Sequence, residues 1–458
     1  MPQYSRLETR RKTRRRARRL LALNLFLAAV LALTVWRLTT ERPAGGSPAA
    51  PRDAAPAATA PSVSAGEDPG DGTERPGETG SEPDPGIDDT PSPGPDAFPS
   101  PDGSGGFVTI AFVGDILPAG RVAEAMNREG ADYPFRNVRD LLTGADIAAG
   151  NLETPVTTRG MPAENKQYVF RASPDHVPAL REAGFDVLSL ANNHTLDQGW
   201  EGLQDTIAHL EEAGLAHMGA GANEQEAYAP ALIERNGMTV AFLGFSRVVP
   251  EVSWKAGPRN PGVAEAYDTR RAVAAIREAK EKADLVVVMV HWGLERKDFP
   301  EPYQRKMGRE FIDAGADLVI GSHAHVLQGL EPYKGKWIAY SLGNFVFTTA
   351  GVSKTQETGV LVAECDKEGN CRLTFHPMFA ENFQPGPMEP EAARRLLKRL
   401  EALSFGVAID ADGVLTASGE AGDDGASPSP AASIVDADAT RRTESVAGAA
   451  APRAEEGR

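Results

Sequence analysis

The chain is 458 residues long and 41% hydrophobic, with 46 Gly, 35 Pro and a formal net charge of −16. That length would accommodate two or three average domains, but so much Pro and Gly argues that a large part is not globular. The acidic balance excludes a basic nucleic-acid-binding surface, and any anionic substrate would need a local cation.

Residues 1–19 hold nine Lys or Arg and one acid, leaving −24 for everything after them. Next comes LLALNLFLAAVLALTVW, Leu20 to Trp36, 17 uncharged and mostly apolar residues. A run of that length is at the short end of what crosses a bilayer core. The expectation is an uncleaved transmembrane anchor over residues 20–37. A cleaved signal peptide competes, but no clear small-x-small site follows and the basic segment is long. Positive residues stay inside, so residues 1–19 are expected in the cytoplasm and the rest outside the cell membrane, as a single-pass protein.

Residues 38–106 are rich in Pro, Gly, Ala and acids and poor in large apolar side chains, so they cannot repay their ordering entropy and read as a disordered acidic linker. Residues 406–458 read as a low-complexity tail. Between them, 107–405 is expected to be one folded α/β unit. Its strand-like runs are FVTIAFVG, ADIAAGN, FDVLSLA, MTVAFLGF, DLVVVMV, ADLVIGS and KWIAYSL, several continuously apolar as strands buried on both faces must be. Amphipathic helical stretches, SPDHVPALREAG, EGLQDTIAHLEEAG, TRRAVAAIREAKEKA and YQRKMGREFIDAG, alternate with them, which calls for a mixed sheet covered by helices. Cys365 and Cys371 flank DKEGN between two further strand-like runs; a disulfide across this hairpin and a pair of free thiols are both open readings.

Five strand ends carry Asp, Glu, Asn or His: Asp115; Asn151 and Glu153; Asn192, Asn193 and His194; His291; and His323 with His325. Carboxylate, amide and imidazole groups meeting at one rim are what one or two divalent transition metals need. Each motif also has a plainer reading. Asp115 could cap a helix, Asn151 and Glu153 could be turn residues, and His291 could be a buried histidine satisfied by backbone. Asp197 is expected to be the N-cap of the helix that begins near Trp200. His323 and His325, in H-x-H spacing, share a face if the chain there is extended. Five such motifs at successive strand ends argue for a shared site. Arg121, Lys166 and Arg171 are candidates for gripping an anionic group or, equally, solvated cations. Asn344 and Glu331 are candidates for supporting the site or touching substrate.

VGDILPAGR, GNLETPV, ANNHTLDQG, HWGLE, GSHAHVLQGLE and YSLGNF, in this order, resemble the CapA family of poly-γ-glutamate capsule synthesis proteins, itself similar to calcineurin-like metallophosphoesterases. The resemblance covers nearly all of 107–405. It implies a four-layer α/β/β/α metallophosphoesterase-like sandwich, displayed outside a bacterial membrane and working with other capsule polymer synthesis or export proteins. Its substrate would be an anionic polymer or a phosphoester. The implied cofactor is one or two divalent ions, Mn, Zn, Fe or Mg, held by Asp115, Glu153, Asn193, His291, His323 and His325. His194 then resembles the histidine that assists the leaving group. In the wider superfamily the first motif is D-x-H, whereas here Ile116 and Leu117 follow Asp115, so one ion should bind weakly or be missing. Three functions follow: a metal-dependent hydrolase, an anchored assembly component that uses the site for binding, and a structural protein with a vestigial site.

Overall fold

A computed structural model of the chain describes residues 106–164, 166–348 and 353–418. The expected anchor at 20–37, the linker and most of the tail lie outside the described residues. Among those described, no helix is long and apolar enough to cross a membrane.

In chain order the elements that matter for the site are β1 (Phe107–Ile116), α1 (Arg121–Glu129), β2 (Ile147–Leu152), α2 (Val177–Glu182), β3 (Val187–Ser189), α3 (Gly199–Glu212) and β4 (Ala216–Met218). They are followed by β5 (Ala231–Arg235), β6 (Met238–Ser246), α4 (Arg270–Lys280), β7 (Leu285–His291), α5 (Pro302–Asp313), β8 (Leu318–Ser322), β9 (Leu327–Tyr333) and β10 (Lys336–Leu342). The last group is β11 (Asn344–Val346), β12 (Glu357–Asp366), β13 (Cys371–Glu381), β14 (Gln384–Pro387), α6 (Pro390–Leu403), β15 (Val407–Ile409) and β16 (Leu415–Ala417).

Two mixed sheets result. An eight-stranded sheet runs β14-β13-β12-β1-β2-β3-β4, with β11 also on β1; a six-stranded sheet runs β9-β10-β8-β7-β6-β5. β1, β2, β3 and β4 are mutually parallel, as are β6, β7, β8 and β10, so each sheet brings several C-terminal strand ends to one side.

The alternation of side chains shows why these strands are apolar throughout. On β1, Val108, Ile110 and Phe112 enter the layer between the sheets, where they join Leu285, Val287 and Met289 of β7. Ala111 and Val113 face outward with Val122, Leu180, Leu203 and Leu210 of the covering helices. On β7, Val286, Val288 and Val290 face Ala272 and Ile276 of α4 and Phe311 of α5. Each sheet is thus buried on both faces, which gives the four layers α/β/β/α.

The ordered chain continues past Phe405, where a tail was expected. Leu396, Leu397 and Leu400 of α6, with Val407 and Leu415 of the β15–β16 hairpin, are buried in the inter-sheet core. The large apolar residues between Phe405 and Ala417 were too few to register as periodicity, but Val407 and Leu415, with Ile409 packed against them, close one end of that core. Cys365 and Cys371 sit directly opposite each other in the β12–β13 pairing and form a disulfide.

Candidate metal centre

The strand ends meet in register. Asp115 pairs with Asn151 on one side and Asn344 on the other, Asn151 with Ser189, and His291 with both Ser246 and Ser322. Gly114 precedes Asp115 because the backbone of Gly343 passes so close that a Cβ there would lie 1.9 Å from Gly343 O. Asp115 N donates to that same carbonyl at 3.0 Å. The pairing of β1 with β2 shifts between Phe112 and Asp115, a bulge that re-aims the carboxylate at the strand end.

Two groups of donor atoms result, each within 4.8 Å: Glu153, His291 and His323, and Asp115, Glu153 and His325. Glu153 belongs to both. It is fully buried, and neither of its carboxylate oxygens has a hydrogen-bond partner among the described residues. Burial, reinforced by the Asp115 carboxylate, holds it well above the usual carboxylate range. Such an uncompensated buried carboxylate is costly unless a cation meets it.

The imidazoles are arranged to complete the site. His291 Nδ1 lies 2.9 Å from Ser322 Oγ, while Nε2 faces Asn193 Oδ1 at 2.9 Å and Glu153 Oε1 at 3.7 Å. Burial, then the neighbouring histidines, push His291 well below its ordinary value, so the ring is neutral, as a ligand must be. Burial likewise pushes His323 down to about 3, and its Nδ1 is buried without a partner. His325 Nδ1 lies 2.9 Å from Asn344 Oδ1 and 3.3 Å from Asp115 Oδ2. Burial lowers its pKa, but the hydrogen bond and charge of Asp115, with the Glu295 charge and the hydrogen bond to Asn344, together outweigh that and raise it.

The H-x-H segment corrects one expectation. The chain there is not extended: His323 and His325 both adopt left-handed backbone, with φ of 88° and 55°. A bent loop, and not strand alternation, brings their rings within 5.8 Å. Two non-glycine residues in that region are strained, and such strain concentrates at functional sites.

Asp197 corrects another. The residue at the start of α3 is Gln198, which makes no side-chain cap. Asp197 Oδ2 instead lies 2.7 Å from His194 Nδ1 and accepts from Phe170 N at 2.7 Å, while its other oxygen pairs with Lys166. Lys166 Nζ also lies 2.9 Å from His194 Nδ1. With Nδ1 so engaged, His194 Nε2 has no protein partner among the described residues. Burial depresses the pKa of His194 and of Lys166, against the opposing pull of Asp197 in both. Phe170 packs on the His194 ring at 4.5 Å.

Of the remaining expected site residues, Asn344 is brought in: its Nδ2 donates to Thr355 O at 3.0 Å while Oδ1 holds His325. Arg171 is tied to Gln198 Oε1 and to Gly160 O, and Arg121 lies over the Phe383 ring; neither bonds to a residue of the centre. Glu331 is remote from it as well, bound by Arg305, Arg309 and the Tyr340 hydroxyl. Leu117, where the superfamily places a histidine, is buried in the outer core. Sequence reasoning overlooked the bracket beneath the centre. Asn192 Nδ2 donates to Asn151 Oδ1 at 3.1 Å, and Asn151 Nδ2 donates to Asp115 Oδ1 at 2.9 Å. The adjacent asparagines in ANNH were the signal, one facing the centre and one supporting it.

The donor set, one further carboxylate, an amide oxygen and three imidazoles around an unpartnered buried glutamate, fits one or two divalent transition ions. The sequence matches the family described as bacterial capsule synthesis protein PGA_cap over residues 109–349. The PGA biosynthesis protein CapA of Bacillus subtilis (strain 168) is 34% identical over 290 residues, covering 63% of this chain and 76% of that protein. The capsule biosynthesis protein CapA of Bacillus anthracis is 36% identical over 286 residues, 61% of this chain and 69% of that protein. A solved 5'-nucleotidase from Candida albicans SC5314 aligns with 59% of this chain and 52% of that one at 11% identity and a TM-score of 0.32, too distant to argue from. On the family match and these two relatives, the chain belongs to the bacterial capsule synthesis protein family.

Proposed function

We propose that this chain acts in the synthesis or export of an anionic capsule polymer of the poly-γ-glutamate kind, on the outer side of a membrane to which residues 20–37 anchor it. In this reading its strand-end centre holds divalent metal and cleaves a phosphoester. The single observation behind the metal is Glu153, shared by two donor groups and otherwise unpartnered in the interior. Asn193, His291 and His323 would hold one ion, Asp115 and His325 the other, with Glu153 between them. Divalent ions so placed lower the pKa of water and offset charge on an attacked oxygen. Asn151 and Ser322 fix the orientation of Asp115 and His291, and Asn344 that of His325. His194, its Nδ1 held by Asp197, keeps Nε2 free of protein partners among the described residues, where it would take a proton from water and pass it to a leaving oxygen.

Leu117 favours a second reading, in which the centre binds the polymer without turning it over. A buried leucine supplies no fourth protein donor to the ion of Asp115 and His325. Metal analysis of the purified full-length protein, with a phosphodiesterase screen in Mn, Zn and Mg, separates the two. Turnover that vanishes in His194→Ala supports hydrolysis; full metal with no turnover on any phosphoester supports binding. Protease added to intact protoplasts should remove the folded domain, and its survival alongside cytoplasmic markers would reverse the orientation.

A further inference from the structure

β6 and β7 end side by side. Ser246 lies opposite His291, and the next amide, Arg247 N, donates to His291 O at 2.8 Å. Arg247 therefore stands at the rim, hydrogen-bonded to the backbone of a candidate ligand. Its guanidinium carbon is 4.0 Å from the Tyr267 ring centroid and 5.2 Å from that of Tyr303. Both rings are pinned by their hydroxyls: Val249 N donates to Tyr267 OH at 3.2 Å, and Gly293 N to Tyr303 OH at 2.8 Å. The stack is thus built from the segments that follow β6 and β7.

No carboxylate among the described residues pairs with Arg247, which is unusual for a half-buried arginine held between rings. Arg305 over Phe405 and Arg309 over Tyr333 have the same aromatic support, and both also bind Glu331. Arg121 and Arg271 lack an acid too, but they belong to the exposed surface of α1 and α4. The acid beside the stack, Glu265, is taken by Lys255 at 3.4 Å and by Tyr267 N. At the rim, Lys166 is spent on Asp197 and Lys354 on Asp298. Arg296 is exposed on the loop after β7, with no ring to hold it among the described residues.

We propose that Arg247 is the anion clamp of the strand-end centre, gripping a carboxylate or phosphate of the substrate while Tyr267 and Tyr303 hold its plane. Aromatic faces support a guanidinium without neutralising it, so its paired N–H donors stay free for two oxygens of one anion. In a chain that is acidic beyond its first residues, a fixed unpaired cation is what an anionic substrate needs on approach. The inference rests on the reading that the centre handles an anionic substrate.

The test uses full-length protein loaded with Mn, titrated with a γ-linked glutamate oligomer and separately with inorganic phosphate. Metal content and melting temperature are recorded alongside. Arg247→Gln should weaken binding of the preferred anion by about tenfold or more, as loss of a charge-assisted pair does. Metal content should be unchanged. Arg247→Lys, which keeps the charge but loses the fork, should fall between, and it decides the matter if the glutamine variant does not fold. Arg296→Gln, an equal charge change nearby, should have little effect. Which probe responds tells carboxylate from phosphate recognition. Equal binding by wild type and Arg247→Gln, or equal losses in Arg247→Gln and Arg296→Gln, overturns the clamp. Wild type that holds metal but binds neither probe overturns it too and leaves the metal reading standing. Wild type that lacks metal yet binds an anion through Arg247 supports the clamp and sinks the metal reading.

Discussion

Glu153, just past the end of β2, and Glu331, within β9, are both fully buried and opposite in circumstance. Glu331 accepts from Arg305 at 3.0 and 3.2 Å, from Arg309 at 2.8 Å and from the Tyr340 hydroxyl at 2.6 Å. Burial would raise its pKa, but Arg305, Tyr340 and Arg309 together hold it below the usual range. Glu153 has no donor on either oxygen, and burial with the nearby Asp115 drives it the other way. The protein answers one buried charge with its own cations and leaves the other for a cation it does not encode. A buried ion network on α5 and β9 is architecture; an unanswered carboxylate ringed by imidazoles is a binding site.

The largest effect that would sharpen this contrast is on stability. Glu331→Gln removes the buried carboxylate that two half-buried arginines share and should cost about 3 kcal/mol in urea unfolding. Metal content should stay at the wild-type level. A cost near zero would mean that the network is solvated and the contrast false.

Next come the ligands one at a time. Loss of a partner one step removed from a metal already costs about tenfold in affinity, and loss of a ligand should cost at least that. Asn193→Ala, His291→Ala and His323→Ala should lose the tighter ion. His325→Ala should mainly affect the weaker one, which Leu117 leaves short of a donor. Equal metal in all four variants, with circular dichroism unchanged, would break the two-group assignment.

The smallest effect is in pH dependence, measured with metal chelated. Glu331, with its folded pKa lowered, contributes stability above the ordinary glutamate pKa of roughly 4.3, lost as pH falls through the folded value. Glu153, with its folded pKa raised, works in the opposite sense. The unfolded chain releases its proton first, so stability falls as pH rises from the ordinary value towards the folded one. The difference in unfolding free energy between Glu153→Gln and wild type should therefore grow in the variant's favour as pH rises, and saturating metal should abolish it. A flat difference in chelator would show that Glu153 is not strained by its burial.

The strands and their polar ends were legible because sheets buried on both faces need continuous apolar runs, and turn residues alone do not explain histidine after histidine. The four layers were legible through family motifs, with the alternation on β1 and β7 bearing them out. Local geometry was not. Asp197 reads as a helix cap from its spacing, and only tertiary contact reveals that Lys166, 31 residues earlier, and His194 claim it. The positive φ at His323 and His325 has no signature in H-x-H, since glycine is what a sequence offers at such positions. Arg247 was invisible because its partners are two tyrosines far along the chain and a missing carboxylate. α6 and the β15–β16 hairpin were hidden by their closeness to an Ala- and Gly-rich tail.

The claim on which the account depends is that Glu153 is buried to meet metal. Full-length wild type and Glu153→Gln, equilibrated with Mn and with Zn, dialysed and assayed for bound metal, test it most directly. The account predicts that wild type retains at least one divalent ion per chain. The glutamine variant, equally well folded, should retain little or none and melt no lower than wild type in chelator. Equal metal in both proteins, or none in either, would contradict it.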